Sequence, residues 1–172
     1  MQENSQMVEI YSNKCHTNLG VSVLVPEVNA DKVNYFINHP SVREWVSGDL
    51  KGVLDASILV NNKNNIFFTS IHGGCGFIKT APSIFELHTF VLPEGRGSWV
   101  KENFSSVRDW IFENTDATAI VTMCPKNNRM AIGAARFCGF KKYSTMENAW
   151  TQNGEVHDMD GYVLYKEVPG CQ

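Results

Sequence analysis

Glu86 and His88 stand two residues apart in the run Ile84-Phe85-Glu86-Leu87-His88-Thr89-Phe90-Val91-Leu92, and in an extended strand that spacing turns both side chains to one face. A carboxylate beside an imidazole can take a proton from an amine, directly or through a water, which is what an amine needs to become a nucleophile. The same residues fit a plainer arrangement equally well, with Glu86 paired to a basic side chain on a flanking helix and His88 satisfied in the core. A second stretch follows at once. Arg96-Gly97-Ser98 leads from this strand into an amphipathic helix, and the N–H groups of a first helical turn, helped by the helix dipole and a nearby arginine, suit an anion. The five cysteines, Cys15, Cys75, Cys124, Cys138 and Cys171, form no Cys-x-x-Cys pair, which argues against a zinc ribbon or a dithiol redox site, and no metal is expected. Cys124 and Cys138 read as small buried hydrophobes, because local spacing places no histidine to activate them.

These side chains need elements to hold them. Residues 84–92 carry bulky apolar groups on both faces, the pattern of a central strand. Val100, Phe104, Val107 and Ile111 predict a helix over 98–114, entered through Gly97 and capped by Ser98. Residues 118–123 (TAIVTM) read as a buried strand. Strand, helix, strand implies a parallel pair with a right-handed crossover, and where two such strands diverge their carboxyl ends open a crevice. Upstream, residues 21–25 predict a strand and 31–38 a helix capped by Asn29, broken at His39-Pro40 before a short helical piece at 41–46. Residues 66–71 and 75–79 predict a hairpin around Gly73-Gly74. Downstream, Asn127 or Asn128 caps a helix whose buried side is Met130, Ala131, Ala134 and Phe137, ended by Gly139. Strands over 140–150 and 159–167 close the chain around Asn153-Gly154. The expected fold class is α/β (α+β), a central mixed, mostly antiparallel sheet with one parallel pair, residues 84–92 and 118–123, flanked by helices.

Composition narrows the partners. With 172 residues, 43% of them hydrophobic and 19% charged, the chain is expected to be one soluble domain over 1–172, with 1–16 a less ordered leader. Fifteen Lys and Arg against 18 Asp and Glu, a net charge of -3, leave no cationic excess for a nucleic-acid backbone, so no nucleic-acid partner is expected. Residues 1–10 carry Glu3 and Glu9 and lack the cationic start and apolar stretch of a secretory signal. No apolar run approaches the ~20 residues of a membrane span. A reducing, cytoplasmic location follows as an expectation.

Two local patterns give a family resemblance. Glu86-Leu87-His88-Thr89-Phe90-Val91-Leu92-Pro93-Glu94-Gly95-Arg96-Gly97 resembles the E-L-x-x-x-V-x-P-E-x-R-G segment of the GNAT superfamily of N-acetyltransferases, and Asn128-x-x-Ala131 followed by Gly139-Phe140 resembles that family's N-x-x-A/S helix ending in G-F. The resemblance implies a single GNAT-like domain that takes acetyl-CoA as co-substrate and passes the acetyl group to a primary amine of a small molecule or a protein. It implies Glu86 as the base, with His88 second. It also implies a cofactor cradle of Val91, Arg96, Gly97, Ser98, Trp99, Lys101 and Asn128, with backbone N–H groups near Val91 receiving the pantetheine arm and the acetyl carbonyl.

The sequence departs from that family in two places. Trp99 stands where a glycine normally lets the backbone approach phosphate, and its bulk is expected to close part of the cradle; Lys101 either offsets that by pairing with a phosphate or is a solvated helix residue. Ala135 stands where many members carry a tyrosine that protonates the leaving thiolate, leaving water or a side chain such as Tyr143 to serve. Arg43 or Trp45, near the His39-Pro40 break, can shape the acceptor side, and Phe67, Phe68, His72 and Gly73–Gly76 can line the same cleft; packing explains all of them as well. Trp150, Tyr162 and Tyr165 are expected in the core or at an interface, and the last hairpin allows a homodimer. The His39-Pro40-Ser41-Val42-Arg43 and Glu86–Phe90 stretches also resemble the bacteriophage-encoded branch of the superfamily. That implies an alternative, a catalytically reduced protein of virion (head) assembly or host interaction that works by binding, in the host cytoplasm or the virion.

Overall fold

The computed structural model describes residues 23–167. The expected leader, Cys15, Cys171 and the first two residues of the strand predicted at 21–25 lie outside the described residues. The chain runs β1 (Val25–Glu27), α1 (Ala30–Ile37), α2 (Pro40–Ser47), α3 (Ser57–Val60), β2 (Ile66–Ser70), β3 (Gly73–Ala81), β4 (Ile84–Val91), a 3-10 turn (Pro93–Gly95), α4 (Ser98–Asn114), β5 (Ala119–Pro125), α5 (Arg129–Phe137), β6 (Lys141–Gln152) and β7 (Glu155–Tyr165). The strands form one seven-stranded sheet in the order β1-β2-β3-β4-β5-β7-β6. Every pairing is antiparallel except β4 with β5.

The two-residue period of β4 divides the core between the sheet's faces. Phe85, Leu87 and Val91 join a cluster with Phe104, Val107, Trp110 and Ile111 of α4 and with Phe68, Phe77, Ile120 and Tyr162 of the sheet. Phe90 faces the other way, with Val33, Phe36 and Ile37 of α1, Val42 of α2 and Phe67 of β2. The central position expected for this strand follows from apolar groups on both sides. α1 is capped by Asn29, whose side chain accepts from the Asp31 N–H, and α2 begins with Pro40 at its first turn and His39 as its cap, so the proline starts a helix where it could not continue one.

Several boundaries differ from expectation. β1 is three residues long and takes in Pro26, which an edge strand tolerates because the missing N–H faces no partner. Gly73 and Gly74 do not make the hairpin turn; they open β3, and the turn falls on Ile71-His72. A Cβ on Gly74 would stand 2.1 Å from the Phe68 carbonyl oxygen, and one on Gly73 2.2 Å from that of Phe90, so this pair serves close strand approach. Gly97, with φ +100, is the cap residue of α4, and Ser98 is its first helical residue with no side-chain cap bond. β5 runs on through Pro125, and the last hairpin is longer than expected, turning at Asn153 (φ 54) and Gly154 (φ 76) as an Asn-Gly pair prefers.

The end of α2 docks on that hairpin tip. Gly48 sits at φ +55 with its backbone against β6, where an added Cβ would fall 2.2 Å from the Thr151 carbonyl oxygen. The Asp49 N–H donates to that same oxygen at 3.0 Å, and the Asp49 carboxylate accepts from the Asn153 and Gly154 N–H groups at 2.7 and 2.9 Å. Gly48→Ala meets both a left-handed backbone and a backbone clash. It should cost more than about 1 kcal/mol of stability, read as a lower urea midpoint with an unchanged slope.

Candidate functional site

The parallel pairing of β4 with β5 lasts for only three positions, Ile84↔Ala119, Phe85↔Ile120 and Glu86↔Val121. Beyond it β4 stays with β3 as far as Val91↔Gly73, and β5 stays with β7 as far as Pro125↔Met159. Where they part, the Thr122 hydroxyl donates to the Leu87 carbonyl oxygen at 2.9 Å, so a side chain takes the place of the next ladder bond. Leu87 therefore turns its peptide groups toward β5, while the Leu92 N–H, donated to the His72 carbonyl, turns toward β3. By strand alternation the amides of Thr89 and Val91 face the space that β5 has left.

That space is a cleft of about 780 Å³. Glu86, His88, Thr89 and Val91 line it from β4, Trp45 and Val46 from α2, Val100, Lys101 and Arg108 from α4, and Trp150 and Met159 from the hairpin. α5 lines it with Asn128, Arg129, Met130, Ala131, Ala135 and Phe137. This overturns the expectation that Met130 and Phe137 are buried: they are 55% and 57% exposed, because the apolar stripe of α5 faces the open cleft. An amphipathic helix turned toward a cleft is a binding wall.

Glu86 and His88 share a face of β4 and meet, with Glu86 Oε1 3.5 Å from His88 Nε2. The plainer arrangement for this pair is not what the fold adopts: the His88 side chain is 56% exposed, and the partner of Glu86 is His88. Arg96 lines the cleft, but its guanidinium is committed to the backbone, donating to the Val91 carbonyl at 3.4 Å and the Ser41 carbonyl at 2.6 Å. It ties α2 to the end of β4. The N–H groups of the first turn of α4 begin at Ser98 without a side-chain cap, and a Cβ on Gly97 would meet nothing within 4 Å, so open space lies before that turn. Lys101 Nζ rests 4.5 Å from the centre of the Phe137 ring, bridging α4 and α5. Asn128 caps α5 by accepting from the Ala131 N–H at 3.0 Å.

Trp99 does not close the cradle. It is 8% exposed, points into the core against His72 and Phe104 and lies outside the cleft wall. Ser98 is exposed and outside the cleft wall. Tyr143 is also outside it, lying over Gly161 on β6. Arg43 donates to the carbonyls of Leu50 and Gly52, holding the loop after α2, whereas Trp45 enters the wall. Phe67 and Phe68 are core residues, Tyr162 is fully buried and Tyr165 is 67% exposed. Thr122, Arg129 and Met159 carried no pattern in the sequence that marked them as cleft residues. Among the described residues no group of three or more His, Cys, Asp or Glu could hold a metal ion, and no helix is long and apolar enough to cross a membrane.

Cys124 and Cys138 lie in the wall but are nearly buried, at 3% and 7% exposure. Burial pushes the Cys124 thiol up to about 11 and raises Cys138, against the pull of Arg108. Since the thiolate is the reactive form, Cys124 should be alkylated at pH 8 about two orders of magnitude more slowly than free cysteine. Peptide mass spectrometry after timed iodoacetamide treatment measures this; a rate like that of free cysteine would contradict the burial.

Comparison with known proteins agrees with this architecture. An acetyltransferase of the GNAT family from Bacillus anthracis superposes with a TM-score of 0.65 at 14% identity, over 86% of this chain and 97% of that one. Spermidine N-acetyltransferase from Vibrio cholerae, in complex with CoA and spermine, gives 0.70 at 13% identity, over 84% and 95%. A ribosomal L7/L12 alpha-N-protein acetyltransferase in complex with coenzyme A gives 0.57 at 16% identity, over 63% of this chain and 66% of that one, so this chain spans just under two thirds of its length. Comparison with curated proteins gives no match. The family model described as "Protein of unknown function (DUF2824)" matches residues 29–168; the chain belongs to that family, and its described residues take the fold of the GNAT acetyltransferases.

Proposed function

We propose that this protein is an N-acetyltransferase that moves an acetyl group from acetyl-CoA to a primary amine. The observation that carries the reading is the parting of β4 from β5 beside Glu86 and His88, which leaves strand amides, a proton acceptor and an elongated cleft in one place. The cleft suits an acyl thioester on a long polar arm: the Thr89 and Val91 amides are turned to it, and open space lies before the uncapped turn of α4. The structures of two proteins with this fold hold coenzyme A.

When bound, acetyl-CoA supplies the acetyl carbonyl and a thiolate leaving group. Glu86 accepts the proton of the attacking amine, and His88, within 3.5 Å of it, passes that proton toward solvent at the exposed end of the pair. The Val91 N–H donates to the carbonyl oxygen as negative charge grows there, a fixed dipole that needs no reorganisation. The N–H groups of residues 98–100 and the Lys101 ammonium hold the anionic end. Arg96 acts indirectly, fixing the end of β4 against α2. Ala135 supplies no proton, and a thiolate whose conjugate acid has a pKa of about 8.5 leaves readily enough that water suffices to protonate it.

One observation favours a second reading. The Arg96 guanidinium is engaged by two carbonyls and position 135 carries no tyrosine, which fits a catalytically reduced bacteriophage protein that works by binding in virion (head) assembly or host interaction. Calorimetry of acetyl-CoA binding, together with thiol release across a panel of amines, separates the two. The enzyme reading expects micromolar binding and turnover, and a fall in kcat of about 10²–10⁴ in Glu86→Gln with acetyl-CoA binding retained. Binding without turnover by any amine would overturn the enzyme reading, and absence of binding would overturn it as well and turn the search to a macromolecular partner.

A further inference from the structure

The charges around the cleft are sharply divided. Glu86 is the one acidic side chain among the described residues that line it, against four basic ones, Arg96, Lys101, Arg108 and Arg129. Arg108 is paired with Asp109 at 2.6 Å and Arg96 is engaged by carbonyls. The basic groups come from α4, the turn before it and the start of α5. The parts of the cleft lining that come from α2 and the hairpin are apolar and aromatic: Trp45 and Val46 from α2, Trp150 and Met159 from the hairpin.

This wall is built to keep its shape. The Trp150 ring lies against the backbone of Gly48, where an added Cβ would come within 3.3 Å of it, and Trp150 Nε1 is buried with no hydrogen-bond partner among the described residues. Packing alone holds that indole. The Asp49 bonds to residues 153 and 154 fix the α2 end of the wall to the hairpin end.

We infer that the acceptor is a monoamine on an apolar body: one ammonium group, met by Glu86, on an aromatic or branched aliphatic frame that fills the space between Trp45 and Trp150. This inference rests on the acetyl-transfer reading and narrows it. A single carboxylate offsets a single ammonium. The second and third ammonium groups of a polyamine would enter a wall with no further carboxylate, facing a cleft that is already cationic, and each would be desolvated without a partner. Aromatic faces, by contrast, favour both an apolar body and the one cation it carries. The amine can sit on a free small molecule or at the amino end of a peptide whose first side chain is large and apolar.

The indole N–H resonances of the native protein test this directly, assigned with Trp45→Phe and Trp150→Phe. Trp99 and Trp110 are core residues outside the cleft wall and serve as internal controls. Three probes are titrated: 2-phenylethylamine, a tripeptide amide with an amino-terminal phenylalanine, and spermidine. The inference expects the Trp45 and Trp150 signals to shift and saturate with 2-phenylethylamine or with the peptide, at a concentration at least tenfold below any effect of spermidine, with the Trp99 and Trp110 signals still. Whichever of the first two binds more tightly identifies the source of the amine. Glu86→Gln should weaken that binding at least tenfold. Spermidine acting as well as either monoamine, or no probe moving the cleft signals, would overturn it. Because no thioester is present, this outcome is independent of acetyl-CoA titration, whose failure would remove the acetyl-transfer reading instead.

Discussion

β4 parts from β5 past Glu86, while each strand keeps its partner on its other edge. β4 follows β3 for its whole length and β5 follows β7 for the whole of its own, and once Val121 is passed the two ladders carry them apart. The Thr122 hydroxyl closes the last bond at the fork. The proposed site gathers at that fork: the amides of Thr89 and Val91, Glu86 and His88 on the wall, and the first turn of α4 beside the same space.

Keeping the fork open requires support on both faces. α4 packs under it through Phe104, Val107 and Ile111, while α1 and α2 hold the opposite face through Phe36, Val42 and Phe90. Arg96 links these layers at the end of β4, and the Gly48–Asp49 contact links α2 to the hairpin beyond β7. α5 is the exception among the longer helices. It gives Met130 and Phe137 to the cleft while Ala131, Ile132 and Ala135 pack on the core, and its first turn is capped by Asn128 and its end touched by Lys101 over Phe137.

The elements carrying strong periodicity were legible in the sequence. The 98–114 helix, the apolar central strand with Glu86 and His88 on one face, and the parallel pair could all be read from spacing, as could the Asn29 cap and, between two candidates, the Asn128 cap. What could not be read depended on the third dimension. The amphipathic pattern of α5 says that one face avoids water, but whether that face meets a core or a cleft is decided by the fork between β4 and β5. Trp99 looked like an obstruction because sequence alone does not give the phase of the first helical turn, and that phase sends the indole into the core. Arg96 looked like a free charge because its partners, the carbonyls of Ser41 and Val91, belong to backbone that composition does not reveal. Trp45, Trp150 and Met159 come together only through the docking of α2 on the hairpin, a contact between segments about a hundred residues apart in the chain.

The most direct test of the central claim is an amide-resolved NMR titration of the protein with acetyl-CoA. If the fork receives the thioester, the amide resonances of Thr89 and Val91, together with those of residues 98–100 at the start of α4, shift together and saturate at one stoichiometric equivalent, while β1 and β2 stay unchanged. If acetyl-CoA leaves Thr89 and Val91 unmoved, or shifts only residues away from the fork, the cleft between β4 and β5 is not a thioester site and the function proposed for it is wrong.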